Sequence, residues 1–255
     1  MTRRFRLHII IFSFLLLPGC HDNPVYPDDI LELELLEYFP LSFPGPSGLA
    51  LDPGSEHLWS VSDVPGGSIY SITFTGEIID EILIDSEDME GIVVHPVDHT
   101  LWVVEERSRE LVNVSRKGTI LNRVHLNIER QYENDGLEGI TINPNNGHFF
   151  VVNEKNPRLL IELNSDVEII NKLKVDFTGI FTITDLSGIT FNTDEQTLWI
   201  LSIESEKIVV TDLQGESIRM YNTYINDGEG IALNPDERIV YIVSDDEQML
   251  YVFSY

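Results

Sequence analysis

The chain has a single cysteine, Cys20, which excludes an intrachain disulfide and any cysteine-built metal knot. Basic residues are scarce: 16 Lys and Arg stand against 43 Asp and Glu, a formal charge of −27. Nucleic acid is excluded as a partner class, because binding phosphate needs a basic surface. Long apolar runs are lacking as well; the stretch Ile9–Leu17 is too short to span a bilayer unless extended. What is present suffices for a core, since 42% of the 255 residues are hydrophobic, enough for one large domain or two small ones. The acidic excess suits solubility, a basic partner or cation binding, and a solvated acidic surface accounts for most of it.

Into this composition a repeat is written five times: PSGLALDP from Pro46, MEGIVVHP from Met89, LEGITINP from Leu137, LSGITFNT from Leu186 and GEGIALNP from Gly228. Each copy has a small or acidic residue, a glycine, an aliphatic β run and a turn. The glycines, Gly48, Gly91, Gly139, Gly188 and Gly230, lie 43, 48, 49 and 42 residues apart. That is the length of a four-stranded propeller blade, and no helical periodicity accompanies it.

The chain begins with Arg3, Arg4 and Arg6, then the apolar run, then Leu17-Pro18-Gly19-Cys20. This resembles a bacterial lipoprotein signal, which implies removal of residues 1–19 and lipid modification of Cys20. Acyl chains contribute about 0.8 kcal/mol per buried methylene, an anchor without a transmembrane helix. Residues 20–30 read as the lipidated Cys and a polar, Pro-containing tether, and residues 31–255 as one domain. The expected location is the bacterial envelope, facing the periplasm, with inner and outer membrane both open. The expected partners are the membrane, through the anchor, and an envelope protein or small-molecule ligand.

Four strands fit each repeat. In the first they are Leu49–Leu51, Leu58–Ser62, Ser68–Phe74 and Ile78–Ile84. The fifth repeat reaches only Met249–Phe253 in its third strand before the chain ends. Leu31–Tyr38 alternates apolar and acidic residues, which favours a strand with one buried face over the helix its Leu and Glu content would allow. It is the spare strand that completes blade five. The predicted fold is all-β: a single five-bladed propeller closed by an N-terminal strand. Each second strand carries an apolar pair, and all three tryptophans, Trp59, Trp102 and Trp199, fall there. Identical placement in successive repeats reads as wedging between blades rather than ligand stacking. His57, His95, His99 and His148 sit at or near the turns between first and second strands, on the side away from the repeat starts. They read as turn residues, not a metal set.

The residue before each repeat glycine stands where an innermost strand starts, at one rim of the central channel. These are Ser47, Glu90, Glu138, Ser187 and Glu229. Two carboxylates ~6 Å apart at an effective dielectric near 20 repel by roughly 3 kcal/mol. Three such groups need protonation, separation or a cation. Calcium, which takes six to eight oxygens in flexible geometry, is the expected cofactor, with the three glutamates and two serines as its ligands. Zinc and copper are disfavoured without Cys or His nearby. The loops between second and third strands should reach the same rim, bringing Asp63, Glu106, Arg107, Glu154, Lys155 and Asp245 as possible ligand contacts or ordinary charged loops. Asp88, Asp135, Asp185 and Asp227 recur three or four residues before the glycine and read as turn makers.

On the segments Asp88-Met-Glu-Gly-Ile92, Leu137-Glu-Gly-Ile140, Val152-Asn-Glu-Lys-Asn-Pro157, Asp185-Leu-Ser-Gly-Ile-Thr-Phe191 and Asp227-Gly-Glu-Gly-Ile-Ala232, residues 31–255 resemble the SdiA-regulated family of envelope β-propellers. That resemblance implies no particular biochemistry. A more distant resemblance, to calcium-dependent propellers of the gluconolactonase and paraoxonase kind, implies an axial calcium on Glu90, Glu138 and Glu229. Here serines replace the amide ligands and no histidine lies in a rim loop. The reading is therefore a lipid-anchored binding or scaffolding module with an axial calcium. The alternatives are a calcium-dependent lactone or ester hydrolase, with Glu138 or Glu154 activating water, and a metal-free structural ring.

Overall fold

The computed structural model describes residues 30–129, 132 and 135–255. The expected leader, Cys20 and the tether as far as Asp29 lie outside the described residues, while Ile30, assigned to the tether, already opens the first strand. The strands β1 (Ile30–Glu32) and β2 (Glu34–Pro40) precede the repeats. Blade one is β3 (Pro46–Leu51), β4 (His57–Ser62), β5 (Ser68–Thr73) and β6 (Ile78–Leu83). Blade two is β7 (Met89–Val94), β8 (Leu101–Glu105), β9 (Glu110–Val114) and β10 (Ile120–His125). Blade three is β11 (Leu137–Asn143), β12 (His148–Asn153), β13 (Leu159–Leu163) and β14 (Ile169–Lys174). Blade four is β15 (Gly188–Asn192), β16 (Thr197–Ser202), β17 (Lys207–Thr211) and β18 (Ser217–Asn222). Blade five has β19 (Gly228–Asn234), β20 (Ile239–Ser244) and β21 (Met249–Ser254), completed by β2. Innermost strands pack in sequence, with β19 returning onto β3, so the ring closes.

The closing segment does more than supply the missing strand. Its first part, β1, pairs parallel with β18 and adds a fifth strand to blade four, with Leu31 opposite Tyr221. Its second part, β2, pairs antiparallel with β21, Leu35 opposite Phe253. The expected buried face is only partly formed. Leu31 and Leu33 pack on the blade four/five core, but Leu35, Leu36 and Tyr38 are exposed. An irregularity in register between Leu35 and Glu37 interrupts the alternation.

The core lies in five apolar layers, one at each seam between neighbouring blades. Trp59, Trp102, Phe150, Trp199 and Tyr241 each enter a different layer, so the second-strand aromatics are wedges. Trp102 meets Phe149 of the next blade edge-on at 5.2 Å, and Trp199 stacks on Tyr221 at 4.9 Å. Tight turns join third and fourth strands. Gly76, Gly118 and Gly215 take positive φ there, and Val167 takes that place in blade three. Each such turn opens on a side-chain oxygen, of Thr73, Ser115, Asn164 or Asp212, that accepts two backbone N–H groups.

Candidate functional site

At the axis the repeat glycines pack against one another. A Cβ on Gly48 would lie 2.6 Å from the Cα of Gly91, one on Gly91 2.3 Å from the Glu138 carbonyl, and one on Gly230 2.5 Å from the Ser47 carbonyl. No side chain fits, so glycine is required for the ring to close. In blades one, two, three and five the register of the innermost strand shifts at this point, at Pro46/Leu49, Met89/Gly91, Leu137/Ile140 and Gly228/Gly230. A bulge re-aims one side chain, and here the residue before the glycine is that side chain.

Above the glycines an open cavity of about 490 Å³ is walled by Glu90, Glu138, Ser187 and Glu229 from the innermost strands, and by Asp63, Glu106, Arg107, Glu154 and Lys155 from the loops. Below them the axis narrows to a void of about 10 Å³ and then opens to an apolar mouth lined by Leu51, Val94, Ile142, Phe191 and Leu233. The two ends thus differ in character: one acidic, one apolar. No histidine lines the acidic end among the described residues.

The acids are not evenly arranged. Carboxylate oxygens of Glu106, Glu138 and Glu154 lie within 4.8 Å of one another, and so do those of Asp88, Glu90 and Glu106. Glu106 belongs to both groups. Glu229 belongs to neither, and Ser47 and Ser187 are otherwise engaged. Ser47 donates to Glu90 Oε2 at 2.8 Å and to the Glu90 carbonyl at 2.9 Å. Ser187 donates to the carbonyls of Leu201 and Gly228 at 3.3 and 3.2 Å. Glu138 is 8% exposed and lines the cavity, and its carboxylate has no hydrogen-bond partner among the described residues. Ordinarily a buried polar group is bonded.

The charges respond to this crowding. Burial pushes Glu90 up to about 8 against its Ser47 bond, and Asp88, Asp63 and Glu106 add to the rise. Burial raises Glu138 well above the usual carboxylate range, with Glu90 and Glu229 next in effect. Glu229 rises likewise through burial and Glu90. Glu106 reaches about 7 through burial and a shared hydrogen bond with Asp88, although it also accepts the Gly136 N–H at 3.0 Å. Burial also raises Asp63, and Asp245, which is not part of the cavity lining, adds to that rise.

The recurrent aspartates divide into two pairs. Asp185 caps the loop of its own blade, accepting from the Ser202 hydroxyl and from the N–H groups of Ile203 and Glu204 at 3.0 and 3.2 Å. Asp227 accepts from the Asp246 N–H at 3.3 Å. Both are turn makers, as their spacing suggested. Asp88 and Asp135 instead line the cavity. Asp88 sits 3.1 Å from Arg107 Nε, and Asp135 holds the Asn156 side chain at 3.1 Å.

Among solved structures the chain is similar to a glutaminyl cyclase of Myxococcus xanthus, with TM-score 0.68 and 12% identity over 88% of this chain and 96% of that one. It is similar to a chain of a nidogen/laminin complex, with TM-score 0.55 and 13% identity over 78% and 72%. It is also similar to a streptogramin B lyase, with TM-score 0.52 and 19% identity over 84% and 71%. At these identities the likeness is one of fold. Sequence likeness is more specific. The model of the SdiA-regulated family matches residues 44–254, from the approach to blade one to the last strand, and the chain therefore belongs to the SdiA-regulated family.

Proposed function

We propose that this protein is a lipid-anchored binding module of the bacterial envelope whose acidic cavity holds a divalent cation, calcium by donor chemistry. The observation that carries the reading is Glu138, buried at the cavity wall with no hydrogen-bond partner among the described residues, and with oxygens of Glu106 and Glu154 within reach of its own. An all-oxygen donor set suits a hard cation. Glu106, Glu138 and Glu154 would hold it, with Glu90 beside them. Bound calcium would supply positive charge that lets these carboxylates ionise and that a ligand's oxygen can meet. Arg107 and Lys155 on the wall give the same cavity two positive contacts for such a ligand.

Thermal unfolding in excess EDTA, then with calcium or magnesium restored, tests this. A ligand at 100 times its Kd stabilises by about 2.7 kcal/mol. A calcium-selective rise in Tm that Glu138→Gln abolishes is expected; no rise with either ion sinks the cation site. Membrane fractionation tests the anchor, since Cys20→Ser should release the protein from the membrane fraction.

A second reading, a calcium-dependent lactone or ester hydrolase, is favoured by one feature: the cavity stays open above the acids, with space for a small substrate. Glu138 or Glu154 would activate water there. A screen of lactones and esters with the calcium-loaded protein decides, and turnover lost in Glu138→Gln would establish it.

A further inference from the structure

The loop Asn153-Glu-Lys-Asn-Pro157 joins the acidic cavity to a second one. Next to it, over the seam between blades three and four, lies an open groove of about 420 Å³ lined by Lys155, Arg158, Lys174, Asp176, Thr184 and Glu204. Lys155 lines both spaces. The loop is held rigidly. Asn153, fully buried, donates its amide to the carbonyls of Lys155 and Pro157 at 2.9 and 2.8 Å. The Arg158 guanidinium is fixed by the carbonyls of Val175, Ile183 and Thr184 at 3.3, 3.1 and 3.0 Å. In a chain with so few bases, three cations converging on one groove is a concentration of positive charge.

Two acids, Glu204 and Asp176, already share the groove with these cations. Lys155 lies between Glu154 of the acidic cavity at 2.6 Å and Glu204 of the groove at 2.7 Å, and Arg158 and Lys174 are 3.3 and 2.7 Å from Asp176. The side chains of Glu204 and Asp176 are 48% and 54% exposed, whereas those of Lys155 and Arg158 are 29% and 27% exposed. Lys155 and Arg158 are thus more enclosed than the lip acids Glu204 and Asp176, while Lys174, 65% exposed, reaches in from the open side. Exposed ion pairs contribute little to stability, so exchanging a lip carboxylate for a ligand's anion costs little, while Arg offers that anion a charge-assisted bond.

We infer that this groove is an anion subsite, in which Lys155, Arg158 and Lys174 take a carboxylate or phosphate group of the ligand. Glu204 and Asp176 occupy that position when no ligand is bound. The inference goes beyond the cation site and does not require it.

Lysine acetylation of the whole protein, followed residue by residue by mass spectrometry, tests it with inorganic phosphate in one arm and glucuronate in the other. Lys117, exposed in a turn of blade two, is the internal control. Severalfold protection of Lys155 and Lys174 but not Lys117, in EDTA as in calcium, is expected. Protection by one anion alone identifies the group recognised. Lys174→Met, on an exposed outer strand, should weaken the protection of Lys155. Equal acetylation of the three lysines with and without either anion overturns the inference. Protection seen only with calcium overturns it too, since the anion would then lie on the cation.

Discussion

Glycine and glutamate divide the work at the axis. The repeat glycine lets five backbones meet, and the residue before it is turned onto the axis by the bulge that follows from the same contact. Gly91→Ala should cost about 3 kcal/mol, because its Cβ would lie 2.3 Å from a backbone carbonyl that cannot move alone. Gly54→Ala, at a positive φ with nothing nearby, should cost only about 1 kcal/mol. Chemical denaturation of both variants checks the contrast. The glycines and the glutamates beside them were legible from spacing alone. The hub at Glu106 was not, because its partners Asp88, Glu90, Glu138 and Glu154 come from two blades and three separate segments. Removing one charge from that crowd should help the metal-free protein. Glu138→Gln is expected to raise Tm in EDTA near pH 8, and an unchanged or lower Tm would show that Glu138 carries no repulsion.

At the level of elements, the closing segment is the point of greatest consequence. Blade five borrows β2, and blade four borrows β1, so one eleven-residue stretch, 30–40, ties the chain's start to its last two blades. A chain beginning at Leu33 loses β1 and the Leu31 contact; it should still fold, with Tm lower by several degrees. A chain beginning at Leu41 leaves β21 as a bare edge and should lose its cooperative transition. Calorimetry of the two truncations separates the contributions, and a cooperative transition in the shorter chain would show that three-stranded closure suffices. The antiparallel half of this closure was readable by counting strands. The parallel half was not, since no local pattern distinguishes three residues pairing with β18 from three residues of tether.

Across the whole molecule, acidity sets the pH response. Glu90, Glu106, Glu138 and Glu229 all hold protons more tightly folded than unfolded. Above the ordinary value of 4.5 and below their folded values, such as about 8 for Glu90, the native state therefore binds more protons than the unfolded one. Stability is full below that window and falls as pH rises through it. Each tenfold in proton affinity is about 1.4 kcal/mol, or roughly 3–6 °C of Tm in a domain of this size. In EDTA a fall of several degrees between about pH 5 and about pH 8 is expected, and saturating calcium should flatten it. A pH-independent Tm in EDTA would mean that these carboxyls ionise without penalty.

Sequence alone determined the blade count, the strand order within each blade, the wedging aromatics and the acid-then-glycine motif. Each of these is a local period repeated five times, and repetition makes a weak local signal strong. Tertiary structure alone decided which acids share a site, which recurrent aspartates face the axis and which cap loops, and that Lys155 stands between two cavities. Those relations join residues from different blades, and their distances depend on how far each blade is turned about the axis. That angle is set by packing at the five seams, where aromatic volume and glycine contact act together, and no single repeat contains it.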